Sequence, residues 1–290
     1  MIKRRTFLIN GGLALSALAI APSFAFAAKK KNIGLQLYTL REALPKNVKG
    51  VLKQISAAGF NEVETYGFSM KEGFFGTSPK DFKAIASDNG LIVPSGHYDF
   101  SSFVKEGSSD FLKASIEAAN TLGSHYLTVP WLDESVRKTA DDYKKIASKL
   151  NEAAVLCQDA GIKLAYHNHD FEFKKFGNTT GYEILLKETD KKLVDFELDL
   201  YWVVRSENDP LKLFKDNPGR FKMWHVKDMD KSKREWNAEI GKGSIDFKTI
   251  FAEAKTSGME HFFVEQETNY LPNPIESVKI SCDYVSKHLI

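Results

Sequence analysis

Short β-rich runs alternate with longer stretches of helical periodicity from about residue 33 to the end of the chain. Strand candidates begin near Ile33, Glu62, Leu91, Tyr126, Lys163, Val194, Phe221 and His261. Between them, apolar residues recur at helical spacing over 48–58, 79–89, 110–122, 140–160, 182–188, 211–217 and 247–257. Gly59, Gly90, Gly161 and Gly258 follow four of these stretches, where a left-handed helix cap is expected. Alternating β and α units predict a parallel sheet, and eight of them predict a closed (β/α)8 TIM barrel, an α/β fold of about 250 residues. An open doubly wound sheet would want a glycine-rich turn after an early strand. Here the stretch after Ile33 is Gly-Leu-Gln-Leu-Tyr-Thr-Leu, and Gly241-Lys242-Gly243 comes too late to serve. No linker, low-complexity tract or second domain interrupts the pattern.

The first residues have a different character. Lys3, Arg4 and Arg5 precede an apolar run from Phe7 to Ile20, and Ala25-Phe26-Ala27 offers an A-x-A cleavage site. That is the order of a secretory signal. The run is too short for an ordinary membrane span and is broken by Gly11, Gly12, Ser16 and Pro22. Arg4-Arg5-Thr6-Phe7-Leu8 resembles a twin-arginine signal, the route of proteins exported already folded. The expected organisation is therefore a signal over 1–27 and one barrel domain over 28–290, in a periplasmic or otherwise exported protein with no stable membrane span after processing.

Cleavage after Ala27 leaves 263 residues, and loss of the three basic residues takes the formal charge from +2 to −1. A near-neutral surface is not built to neutralise phosphates, so nucleic acid is not an expected partner. A hydrophobic content of 43% suffices for a core. Cys157 and Cys282 fall in helical patterns and are expected as two buried thiols, with no zinc-type cysteine cluster. Homo-oligomerisation is compatible with the sequence but not indicated by it.

In a barrel strand alternate residues face the interior, and chemistry gathers at the carboxyl ends. Glu62, Glu64 and Tyr66 share a face of the second strand; Val93, Ser95 and His97 share one of the third; His167 and His169 share one of the fifth, followed by Asp170 and Glu172. On the sixth, Glu197, Asp199 and Tyr201 oppose Phe196, Leu198 and Leu200. On the seventh, Met223, His225 and Lys227 alternate with Trp224, Val226 and Asp228, and on the eighth Phe263, Glu265 and Glu267 alternate with Val264 and Gln266. Any one buried His or Glu is commonly a paired core group. Several carboxylates converging on one barrel end, however, repel one another unless a cation sits among them. Glu172, Asp199, His225 and Glu265 would supply three oxygen ligands and one nitrogen, with Glu267 an alternative to Glu265 on the same face. Such a set suits one divalent ion, Mn²⁺, Co²⁺ or Mg²⁺ before Zn²⁺.

The runs Tyr166-His167-Asn168-His169-Asp170-Phe171-Glu172, Leu198-Asp199-Leu200-Tyr201-Trp202, His225-Val226-Lys227-Asp228-Met229-Asp230 and Val264-Glu265-Gln266-Glu267 together resemble the xylose isomerase-like barrel superfamily, and more narrowly its sugar phosphate isomerase/epimerase branch. Gly34-Leu35-Gln36-Leu37-Tyr38 and Val63-Glu64-Thr65-Tyr66-Gly67 fit the first two strands of that branch. The resemblance implies one divalent ion on Glu172, Asp199, His225 and Glu265. Epimerases of the family carry a Glu inside strand five where this chain has Tyr166, which leaves His167 and His169 as alternative ligands.

The resemblance further implies removal of a proton from a carbon beside a carbonyl or hydroxyl of a carbohydrate. Glu265, His97, His169 and Lys227 are the candidate acid–base residues, Lys227 equally a group that holds a substrate oxygen. Gln36, Glu64 and His167 are candidate substrate contacts, and Tyr38, Trp131 and Trp202 sit where aromatic faces stack on sugar rings. Phosphorylated sugars are mainly cytoplasmic, so export points to a free or oxidised (keto) sugar or glycoside, acted on as epimerase or lyase/hydratase. Two other classes compete. A non-catalytic sugar-binding barrel would keep the aromatics without the ligand set. A DNA-repair relative would need more than seven histidines and a basic face.

Overall fold

A computed structural model describes residues 32–290. The expected signal over 1–27 lies outside the described residues. Eight parallel strands close into one barrel: β1 (Gly34–Gln36), β2 (Glu62–Thr65), β3 (Ile92–His97), β4 (Tyr126–Val129), β5 (Lys163–His167), β6 (Val194–Asp199), β7 (Phe221–Val226) and β8 (His261–Val264), each hydrogen-bonded to its sequence neighbours and β8 back to β1. Every expected strand is present within two residues of its expected start. Among the described residues no helix is long and apolar enough to cross a membrane.

The helices form where their apolar faces and caps dictate. Ala140–Asp159 opens on a capping box in which Thr139 and Asp142 satisfy each other's backbone amides, and Gly181–Glu188 repeats the device with Thr180 and Glu183. Ser78, Asp209 and Asn273 cap three further helices, each with proline in the first turn. The four glycines expected beyond helix ends all have positive φ. The stretch expected as one helix over 247–257 is broken into Phe247–Ala252 and Ala254–Ser257. Two short helices, Ser101–Glu106 and Leu200–Arg205, were not legible in the apolar pattern. Cys157 and Cys282 are both buried and not joined by a disulfide.

Closure brings β1 hard against β8. A Cβ on Gly34 would lie 2.4 Å from Phe263 Cδ1 and 2.5 Å from the Phe262 carbonyl, so this seam requires a residue without a side chain. The register then sets polar residues at matched heights. Gln36 pairs with Glu64 and Glu64 with Ser95. Glu197 pairs with His167, and Asp199 with His225. Since alternate residues face inward, these ladders stack charged layers inside the barrel. Glu62 and His261 meet near the amino-terminal end at 2.9 Å, where Asp195 also pairs with Lys163, while Glu64, Glu197, Asp199 and Glu265 gather toward the carboxyl end.

Candidate metal centre and active-site cavity

The upper interior holds two adjoining sets of side chains. In the inner set, Glu64, His97, Glu197 and His225 bring ligand-type atoms within 4.8 Å of one another, and all four residues belong to strands β2, β3, β6 and β7. Their closest contacts are hydrogen bonds: His225 Nε2 to Glu64 Oε2 at 2.7 Å and His97 Nε2 to Glu197 Oε2 at 2.7 Å. Burial drives Glu197 well above the usual carboxylate range, and the neighbouring Glu64 charge adds to it. Glu64 goes the other way. Burial raises it, but His97, the His225 bond and the Ser95 hydroxyl together outweigh that and hold it at about 2. Burial also lowers His97, to about 3. Burial lowers His225 too, but the carboxylates around it raise it well above the ordinary histidine range, so the inner layer sets a charged pair, Glu64 and His225, beside a neutral acid–imidazole pair.

The outer set is differently built. His167, Asp199 and His225 present ligand atoms within 4.8 Å of one another, and Glu265 joins them through His225. His167 Nε2 lies 3.5 Å from Asp199 Oδ2, and His225 Nδ1 lies 3.9 Å from that oxygen and 3.3 Å from Glu265 Oε2. Ligands on an ion with bonds of about 2.0–2.2 Å stand roughly 3.0–3.6 Å apart; the His167–Asp199 and His225–Glu265 separations fall in that range, whereas the inner set, beside contacts of 3.2 and 3.3 Å, is closed by two at 2.7 Å, the length of hydrogen bonds. His167 Nε2 and Asp199 Oδ2 are also buried without a hydrogen bond; their 3.5 Å contact with each other and the Lys227 ammonium, 3.2 Å from Asp199 Oδ2, offset part of the cost, and an ion between them would relieve the rest. Their other atoms are committed. His167 Nδ1 meets the Pro130 carbonyl at 3.1 Å, and Asp199 Oδ1 accepts the Trp202 amide at 3.0 Å as the N-cap of Leu200–Arg205. Two imidazole nitrogens and two carboxylates are a donor set that holds a divalent transition ion.

Lys227 closes one side. Its ammonium lies 2.9 Å from Glu265 Oε2, 2.5 Å from Glu267 Oε1 and 3.2 Å from Asp199 Oδ2. Burial lowers its pKa, but those three carboxylates raise it further, to well above the ordinary lysine value. An ammonium held in its charged form suits the holding of an oxygen better than the work of a base. Glu265, not Glu267, stands beside His225; Glu267 reaches Lys227 and is partly exposed.

Glu172, expected as a ligand, belongs to neither set. Its Oε1 accepts the Tyr166 hydroxyl at 2.6 Å and its Oε2 the His169 amide at 2.8 Å, because the turn Phe171–Phe173 folds the chain back onto β5. The strand-five member of the ligand set is His167. Burial raises Glu172 from 4.5 to about 7 against those two hydrogen bonds. Between these values the folded protein keeps a proton that the unfolded chain has shed, so stability falls as pH rises through this window. The expected loss is up to about 3 kcal/mol by pH 8. Urea denaturation at pH 5 and pH 8 should show that decline in the parent and a flatter profile in Glu172→Gln.

Above the outer set opens a cavity of about 430 Å³, a size that takes a small molecule. Its walls include the expected Tyr38, Trp131, His97, His167, His169 and Glu265, together with Glu267, with Tyr66, which the sequence placed on the face of Glu64 without a site role, and with Phe68 and Asp99, not singled out in the sequence. His169 is held neutral, first by burial and then by His167 and Lys227, and its Nδ1 has no partner. Three expected substrate contacts lie elsewhere. Gln36 is fully buried, with its amide given to Glu64 and its carbonyl to the Tyr38 amide. Glu64 is saturated by donors beneath the cavity, and Trp202 backs His169 and Lys227 without lining it. Ser95 and Glu197 are polar interior residues whose roles the sequence reading did not assign. Strand parity had put each on the face of a candidate, and that was the available signal.

The comparisons agree with this architecture. An inosose dehydratase from Clostridium perfringens is 28% identical over 171 residues, which cover 52% of this chain and 56% of that protein. The chain therefore spans about half the length of the curated relatives it matches. The crystal structure of a sugar phosphate isomerase/epimerase from Parabacteroides distasonis is 28% identical, with a TM-score of 0.80 over 92% of this chain and 98% of that one. The IOLI protein, solved with a bound zinc atom, shares the fold at 16% identity and a TM-score of 0.69, over 89% of this chain and 99% of that one. The sequence model of the xylose isomerase-like TIM barrel family matches residues 52–288, and the chain belongs to that family.

Proposed function

We propose that this chain is an exported, divalent-metal-dependent enzyme that removes a proton from the carbon beside the carbonyl of a free or oxidised (keto) sugar or glycoside, as an epimerase or lyase/hydratase. The observation that carries the reading is the convergence of His167 Nε2 and Asp199 Oδ2, both buried without a hydrogen bond, with His225 Nδ1 and Glu265, a set of which His167 and Glu265 line the cavity. When bound there, a divalent ion supplies Lewis-acid polarisation of a carbonyl oxygen. His169, neutral and with a partnerless nitrogen on the cavity wall, takes up the proton. Lys227 holds positive charge at the edge of the site, where negative charge develops on oxygen. Tyr38 and Trp131, 40% and 43% exposed at the mouth, offer faces on which a sugar ring stacks.

The cavity also bears on the substrate. None of its lining residues is Lys or Arg, while Asp99, Glu265 and Glu267 are acids. A phosphate group would meet repulsion there in place of the paired donors it requires. That favours an unphosphorylated sugar, as the amino-terminal signal pattern does independently. The test is deuterium incorporation from heavy water into a panel of keto-glucosides, followed by mass spectrometry with and without added Mn²⁺. Metal-dependent exchange beside the carbonyl, lost in His169→Asn, is expected. An ion-loaded protein that exchanges none of the panel would overturn the reading.

A further inference from the structure

Both ring nitrogens of His225 face carboxylates. Nδ1 lies 3.3 Å from Glu265 Oε2, and Nε2 lies 2.7 Å from Glu64 Oε2. An ion can bind only a ring nitrogen that has shed its proton, so which nitrogen keeps its proton decides whether the outer ligand set can assemble. We propose that Glu64 is the positioning residue of this metal site: it accepts the Nε2–H of His225 and leaves the Nδ1 lone pair aimed at Asp199 and Glu265. This inference rests on the metal reading above and gives Glu64 a role behind the site, in place of a contact to substrate.

Glu64 is built to be immovable. Gln36 Nε2 donates to its Oε2 at 2.7 Å and Ser95 Oγ to its Oε1 at 2.5 Å. Each donor is itself held, Gln36 by the Tyr38 amide at 3.0 Å and Ser95 by Thr128 Oγ1 at 3.0 Å. All four side chains are completely buried. The β1–β2–β3 register sets Gln36, Glu64 and Ser95 at one height, so the network arises from strand alignment. The opposite tautomer would press the Nε2 lone pair against a carboxylate oxygen at hydrogen-bond distance. His167 shows the same device with a different partner, its Nδ1 meeting the Pro130 carbonyl. A ligating histidine whose second nitrogen is tied to a carboxylate or carbonyl is fixed in tautomer and orientation, and loss of that partner weakens metal binding.

The rival role for Glu64 is ligation of a second ion within the inner set. The 2.7 Å contacts argue against it, and the experiment separates the two. Purified protein is stripped with a chelator and titrated with Zn²⁺ against a chromophoric competitor. One ion per wild-type chain is expected, with Glu64→Gln still taking one ion but about 10–100-fold more weakly. In ¹⁵N spectra of the Zn²⁺-loaded protein, His225 Nε2 should carry a proton in the wild type. That signal should broaden or vanish in Glu64→Gln, with His167 unchanged. Should Glu64→Gln not fold, Ser95→Ala removes one of the bonds that fix Glu64 and is expected to weaken binding less, in the same direction. Unchanged Zn²⁺ affinity in the variants overturns the proposal, as do two ions per wild-type chain of which Glu64→Gln loses one. A wild-type protein that takes no ion instead defeats the metal reading itself.

Discussion

Changing His225 and Glu265 together to glutamine is expected to strip the purified protein of its divalent ion and to lower proton exchange at least about a thousandfold, since Lewis-acid stabilisation amounts to several kcal/mol and each 1.4 kcal/mol is a factor of ten. The two residues meet at 3.3 Å, His225 on β7 and Glu265 just past the end of β8, and supply one nitrogen and one oxygen of the outer set. What remains, His167 and Asp199, is too small a set to hold an ion alone. Glutamine keeps the volume, so the barrel should persist. Elemental analysis and the exchange rate, measured on the same preparations, check the prediction. Full ion content in the double variant would place the ligands elsewhere.

The second large effect concerns charge. Lys227→Met leaves Asp199, Glu265 and Glu267 around a position that no longer carries a cation. Removing one partner from a buried charge network costs about 3–5 kcal/mol. For a domain of this size that corresponds to a melting temperature lower by roughly 10 °C in the presence of a chelator. Added Mn²⁺ should recover much of the loss, because an ion bound by the native state restores positive charge among the same carboxylates. A melting temperature that falls equally with and without Mn²⁺ would mean that Lys227 acts by packing alone.

Much of this architecture was legible before any coordinates. The eight strands follow from alternating periodicities, and their parity placed Glu64, His97, Asp199, His225, Lys227 and Glu265 inside the barrel, where they lie. Parity does not report depth or consumption, however. Gln36 and Glu64 read as strand-end polar groups, yet each is used up by its neighbours below the cavity floor. Glu197 and Asp199 point the same way two residues apart. Only the packing across the barrel interior reveals that Glu197 bonds His97 while Asp199 faces His167. Glu172 marks where the rule ends. Beyond His167 the chain leaves strand geometry, and a turn carries the carboxylate back to Tyr166 and away from the ligand set. His167 lay inside the strand all along, but a histidine beside an expected glutamate position gave no reason to prefer it.

The central claim is a single divalent ion held by His167, Asp199, His225 and Glu265. Its most direct test is pulsed electron paramagnetic resonance of the protein loaded with Mn²⁺, which counts the nitrogens bound to the metal. The account predicts about one ion per chain coupled to two imidazole nitrogens, falling to one in a His167→Gln variant. A bound ion with no imidazole coupling, or a chain that takes up no Mn²⁺, would contradict it.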